Sequence, residues 1–134
     1  MIVQNKKVLV FGNPLLKEDS LPLQILPKLA KINGFEFTAF DPNEQIEKQG
    51  KHLLIVDTVL GIKKVTVFSE KDLANLVTQT RYSAHDFDLG FSLRFLLKLG
   101  KIESAKIIGV PPKYDEKKAV KEIAEILKNF LKFK

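Results

Sequence analysis

Lys6-Lys7-Val8-Leu9-Val10-Phe11-Gly12-Asn13-Pro14-Leu15-Leu16-Lys17-Glu18-Asp19 is the stretch whose reading decides the fold. Its near-continuous Val/Leu/Phe run has the character of a strand buried on both faces, and Gly-Asn-Pro forces a turn at its carboxyl end. In an open α/β sheet that end is where ligands bind. A second run, Leu53-Leu54-Ile55-Val56-Asp57, also closes on an acid directly after four aliphatic residues. If these strands are parallel neighbours, Asp19 and Asp57 meet at one crevice. One of only two histidines, His85, lies in a third polar loop, Arg81-Tyr82-Ser83-Ala84-His85-Asp86.

Working outward, Ser20 is placed to cap a helix from Leu21 to Asn33, with Gly34 as its left-handed stop. Pro22 is tolerated in the first turn, but Pro27 removes an interior hydrogen bond and predicts a kink or a split. Phe35-Glu36-Phe37-Thr38-Ala39-Phe40 alternates as a strand near an edge, and residues 43–49 form a short connection. Strand Lys64–Phe68 follows the middle strand too closely for a parallel crossover, so it pairs antiparallel or lies outside the parallel set. Lys71 to Thr78 predicts a short helix, with Ser69 as its cap. From Asp86 to Leu99 the chain is apolar nearly all round, which predicts a helix buried on much of its surface. A strand over Ala105–Val110 stops at Pro111-Pro112. An amphipathic helix with Ala119, Val120, Ile123, Ile126, Leu127, Phe130 and Leu131 on one face closes the chain. The order implies an α/β fold, a three-layer α/β/α sandwich around a mixed, mostly parallel sheet of about five strands. Residues 1–134 make a single domain.

Composition narrows the chemistry. The chain has no cysteine, so disulfides, thiol catalysis and thiolate metal sites are excluded, and any metal must be held by oxygen and nitrogen. No apolar run approaches the length of a membrane span, and the start has no signal-peptide layout, so a cytoplasmic protein with no membrane partner is expected. The net charge of +6 raises the question of nucleic acid. The lysines are scattered, however, and no aromatic stacking stripe accompanies them, so no nucleic-acid partner is expected.

Each candidate residue has a plainer reading. Asp19 alone is an acid opposing a helix dipole, and a lone loop histidine such as His85 is more often a solvated one. Asp86 and Asp88 serve equally as helix-start acids. His52 looks like a strand-edge residue with no partner in view. Asp57 is harder to dismiss, because a carboxylate at the end of a buried strand needs a cation or donors to offset desolvation of several kcal/mol in order of magnitude. Together, two acids and one imidazole make an O,O,N set suited to a borderline divalent ion such as Zn, Ni or Mn. Gly12-Asn13-Pro14 lacks the further glycines of a dinucleotide loop and the Lys-Ser/Thr pair of a P-loop, and no Gly-x-Ser-x-Gly elbow exists.

The succession of Val8 to Asp19, Leu53 to Asp57, Ser83-Ala84-His85-Asp86 with its Leu-rich helix, and Ile107-Ile108-Gly109-Val110-Pro111-Pro112 resembles the hydrogenase maturation endopeptidases. The resemblance implies an aspartyl endopeptidase-like hydrolase. It would clip the C-terminal extension from the precursor of a nickel-iron hydrogenase large subunit after nickel insertion. It further implies that Asp19, Asp57 and His85 are at once the catalytic and the metal-binding residues. The nickel would be carried by the substrate, with zinc or cadmium able to occupy the site in its absence. A non-proteolytic relative, acting as a chaperone for nickel or the large subunit, is the alternative. The chain departs from the family pattern in having Val10 at the first glycine position, Ser20 after the acids, and Asp41-Pro42-Asn43 in place of a glycine-rich Asp-Gly-Gly-Thr loop.

Overall fold

The computed structural model describes residues 6–12, 20–40, 44–75 and 89–132. Strand β1 (Lys6–Val10) is followed by two short helices, α1 (Leu21–Gln24) and α2 (Leu26–Leu29), then β2 (Phe35–Ala39) and a 3-10 turn at Ile46–Gln49. The middle strand β3 (His52–Thr58) leads to β4 (Thr66–Phe68), a second 3-10 segment (Glu70–Asn75), helix α3 (Leu89–Lys98), β5 (Ser104–Val110) and helix α4 (Glu116–Lys132). The sheet order is β2-β1-β3-β5-β4, with every pair parallel except β4–β5. As expected, β2 is an edge strand, and β4, reached by a short connection, pairs antiparallel at the other edge.

Strand alternation sorts the core into two layers. Val8, Val10, Val56, Ile108 and Val110 face Leu21, Ile25 and Leu29 of the first helices and Ala119, Ile123 and Leu127 of α4. Leu9, Phe11, Leu53, Ile55, Ala105 and Ile107 face the other way, toward Leu89, Leu93 and Leu96 of α3. Most of these side chains are fully buried, and each buried Leu or Ile is worth about 1.5–3 kcal/mol. The three-layer sandwich is the architecture read from the sequence. Among the described residues no helix is long and apolar enough to cross a membrane.

Pro27 splits the first helix. A continuous helix would need an N–H at residue 27 to donate to the carbonyl of Leu23, and proline has none. Ile25, at φ −89° and ψ −3°, closes α1 and opens α2, its carbonyl accepting from Lys28 N and Leu29 N, both at 2.9 Å. Helical geometry ends at Leu29 rather than Asn33, and the chain turns through Gly34 at φ 93°. Ser20 occupies the N-cap position, but its hydroxyl makes no capping bond to the helix backbone. Its Oγ instead accepts from Gln24 Nε2 at 2.9 Å. The segment predicted as a helix from Lys71 to Thr78 is a 3-10 turn over Glu70–Asn75, and its remainder lies outside the described residues.

Helix α3 corrects the expectation of a helix buried on much of its surface. Leu89, Gly90, Leu93 and Leu96 are buried, whereas Phe91, Phe95 and Leu99 are 63%, 53% and 53% exposed. The helix covers one face of the sheet, and no further layer among the described residues lies over its outer side.

At the opposite edge a side chain stands in for a strand. Strand β4 reaches only as far as Ile107 of β5, so the buried N–H of Ala105 lies beyond the ladder and donates to Glu70 Oε1 at 2.8 Å. The same oxygen is 3.3 Å from Lys106 Nζ. Burial alone would raise the Glu70 carboxyl, but the bonds from Ala105 N–H and Lys106, the Lys106 charge and Glu70's own backbone N–H outweigh it and hold it below its ordinary value. A carboxyl lowered by folding adds stability above its unfolded value of about 4.3, and that stability is lost as pH falls through the lower folded value. Urea melts against pH should therefore show an acid limb below about pH 4 that is flatter in Glu70→Gln. Glu70→Ala, which orphans the Ala105 N–H, should lose about 1–3 kcal/mol at neutral pH.

Candidate active site

Strands β1 and β3 are joined at their carboxyl halves, where Leu9 pairs with Ile55 and Val10 with Val56. The contact continues one residue past β1, with Phe11 N donating to Val56 O at 2.8 Å. Phe11 is anchored in turn by stacking on Phe40, their ring centroids 4.8 Å apart. From β1 the chain runs outward to β2 on one side, and from β3 it runs to β4 and β5 on the other. The reversal of direction falls between β1 and β3, so their carboxyl ends flank the switch-point crevice where open α/β sheets bind ligands.

Asp57 stands at that crevice. Strand β3 extends two residues further than Val56, so the acid is inside the strand rather than after it, level in register with Gly109 of β5. It is fully buried, and its Oδ1 accepts from Thr58 N at 2.8 Å. Alternation puts Asp57 on the same face as Ile55, the face that α3 covers. Thr58, also fully buried, takes the opposite face, and its Oγ1 has no hydrogen-bond partner among the described residues. Two polar side chains in succession at the end of an otherwise aliphatic strand are costly for folding alone and point to function.

Of the three sequence-predicted site residues the structure places Asp57. Asp19 and His85 lie outside the described residues, but their near neighbours on the carboxyl side lie within them. Ser20, next to Asp19, is buried at the start of α1, which packs against β3. Leu89, four residues beyond His85, is fully buried at the start of α3 in the cluster that contains Ile55. Among the described residues no three His, Asp or Glu side chains are grouped to hold a metal ion.

A concavity of about 500 Å³ lies elsewhere. It opens at the amino ends of the strands and is lined by Lys6, Lys7, His52, Ser104 and Lys106 among others. His52 has the partner that sequence reasoning could not see, its Nδ1 lying 2.8 Å from Ser104 Oγ across the β3–β5 register. His52 thus stands at the end of β3 away from Asp57.

No curated protein matches this chain. Among solved structures it is similar to the hydrogenase maturating endopeptidase HybD from E. coli, at 17% identity and TM-score 0.67, covering 95% of this chain and 92% of that one. It is also similar to the hydrogenase 3 maturation protease, at 18% identity and TM-score 0.64, covering 92% and 90%. A hydrogenase 2 maturation peptidase from a Thaumarchaeota archaeon gives 13% identity and TM-score 0.60, covering 97% and 100%. At these identities the likeness establishes the fold. The family comes from sequence, because the model described as hydrogenase maturation protease matches residues 39–132, a span that includes Asp57 and His85. This chain belongs to the hydrogenase maturation protease family and is a peptidase.

Proposed function

We propose that the protein removes the C-terminal extension of a nickel-iron hydrogenase large-subunit precursor once nickel has been inserted, and that Asp19, Asp57 and His85 receive the metal borne by that substrate. The observation that carries the reading is the full burial of Asp57 at the carboxyl end of β3, beside the end of β1, in a family of maturation proteases. A carboxylate held there by the Thr58 N–H is oriented before substrate arrives, which lowers the cost of fixing its geometry on binding. Two carboxylates and an imidazole, with no thiolate available in the chain, are a donor set suited to nickel, and equally to zinc or cadmium when the substrate is absent.

The role assigned to the three side chains is positional. They dock on the metal and hold the scissile peptide beside it, so that cleavage proceeds only on a loaded precursor. The nickel supplies Lewis acidity toward the scissile bond. Purified protein incubated with nickel-loaded and nickel-free precursor should cleave the loaded form alone, as measured by the mass of the large subunit. His85→Ala should abolish that cleavage without changing the melting temperature. Cleavage of both forms at equal rates would remove the metal from the reading. Binding of the loaded precursor without cleavage of either form would favour a chaperone.

A further inference from the structure

Three of the four large apolar side chains that stand exposed among the described residues belong to α3 and its end, namely Phe91, Phe95 and Leu99. Their spacing of four residues makes one stripe along the helix. The rings of Phe91 and Phe95 lie nearly parallel, 6.4 Å apart and inclined by 10°. Beside the stripe is a groove of about 240 Å³, with the buried Ile46 and Leu96 at its base and Glu44 and Glu47 of the 3-10 turn and its approach on its far side. The charged side chains that line the groove are these two carboxylates, in a chain whose net charge is +6, while the exposed Arg94 and Lys98 of α3 lie outside its lining.

We infer that this groove docks the precursor subunit, through a segment that sets an apolar side chain against Phe91 and Phe95 and a lysine or arginine against Glu44 and Glu47. The inference rests on the proposed function and adds to it the surface that selects the substrate. Charge complementarity specifies the occupant, since two carboxylates beside aromatic rings favour a basic, apolar segment over an acidic or wholly apolar one. Position supports the substrate as its source. Helix α3 packs on the sheet face to which Asp57 belongs, and it runs down to β5 through a short connection, so its first turn lies at the Asp57 end of the sheet. The ten residues of the helix span about 15 Å, which places the whole stripe within about one helix length of that end.

The test measures KM and kcat on nickel-loaded precursor for wild type, for Phe95→Ser with Leu99→Ser, and for Glu44→Lys with Glu47→Lys. Glu44, Phe95 and Leu99 are exposed and Glu47 is half-buried, and thermal melts and sedimentation are run alongside to check folding and self-association. Docking predicts a rise in KM of about tenfold or more in both double variants, with kcat largely retained at saturation. The rise from the two lysine substitutions should shrink as salt is raised. Wild type that cleaves while both variants keep its KM overturns the docking inference and leaves the proposed function standing. An unchanged KM with loss of a wild-type dimer in Phe95→Ser/Leu99→Ser overturns it too, and assigns the stripe to self-association. Wild type that neither binds nor cleaves the precursor overturns both.

Discussion

Asp57→Asn is expected to stop processing of the precursor, with a fall in rate of about 10³-fold or more, while the protein stays folded. The substitution keeps the shape of the side chain and an oxygen able to accept from Thr58 N, so that hydrogen bond is retained. What it removes is the negative charge, which is the property that a divalent ion selects in an oxygen ligand. Asp57 is fully buried, and replacing a buried carboxylate with an amide also removes a desolvation cost. The melting temperature should therefore match the wild type or exceed it. Rates on loaded precursor, together with thermal melts, check both halves of the expectation. Wild-type turnover would mean that the site is elsewhere, and a collapse in stability would mean that the carboxylate is structural.

The second large effect is expected at Gly109. This residue pairs with Asp57 on one side and Thr66 on the other, and a Cβ placed on it would lie 2.7 Å from Val59 Cγ2 and 2.8 Å from Phe68 Cε2. Those contacts are shorter than packed carbon atoms tolerate, so Gly109→Ala should cost about 1–3 kcal/mol and Gly109→Val more. Relief requires β5 to move, or the chain from Val59 to Phe68. Val59 is bonded to Val110 O and lies two residues from Asp57, so activity should fall with stability. Urea melts of the alanine variant measure the first effect and precursor cleavage the second. A melt identical to wild type would show that the neighbourhood of Gly109 is looser than its contacts imply.

Much of this architecture is legible in the chain, for reasons that are local. A missing N–H at Pro27 splits a helix wherever the rest of the fold puts it, and a short connection forbids a parallel crossover for β4 in any tertiary setting. Alternation in residues 35–40 and the spacing of three and four in α4 each report which side faces the core. The features that escape a sequence reading are non-local. The 2.8 Å contact of His52 with Ser104 depends on strand register between residues 52 positions apart, which no local pattern encodes. Ser20 has the residue type and position of a helix cap, but Gln24 occupies its hydroxyl. Helix α3 reads as a core helix because periodicity registers apolar side chains without distinguishing those covered by their own chain from those offered to another molecule. Of the candidate trio, Asp57 stands out because an acid after four aliphatic residues is rare and costly. Asp19 and His85 sit in polar segments that carry no comparable signal of their own.

The ladder between β3 and β5 has a consequence for how the enzyme comes into being. Its seven pairs join residues 52 positions apart in the chain, and β3 has two paired positions with β1 to hold it otherwise. Closing so long a loop precedes any gain from the pairing, which makes this step slow and cooperative. A polypeptide still emerging from the ribosome lacks the strand that fixes β3, and with it Asp57, until β5 has been synthesised and has docked. Peptidase activity is therefore expected only after β5 has docked.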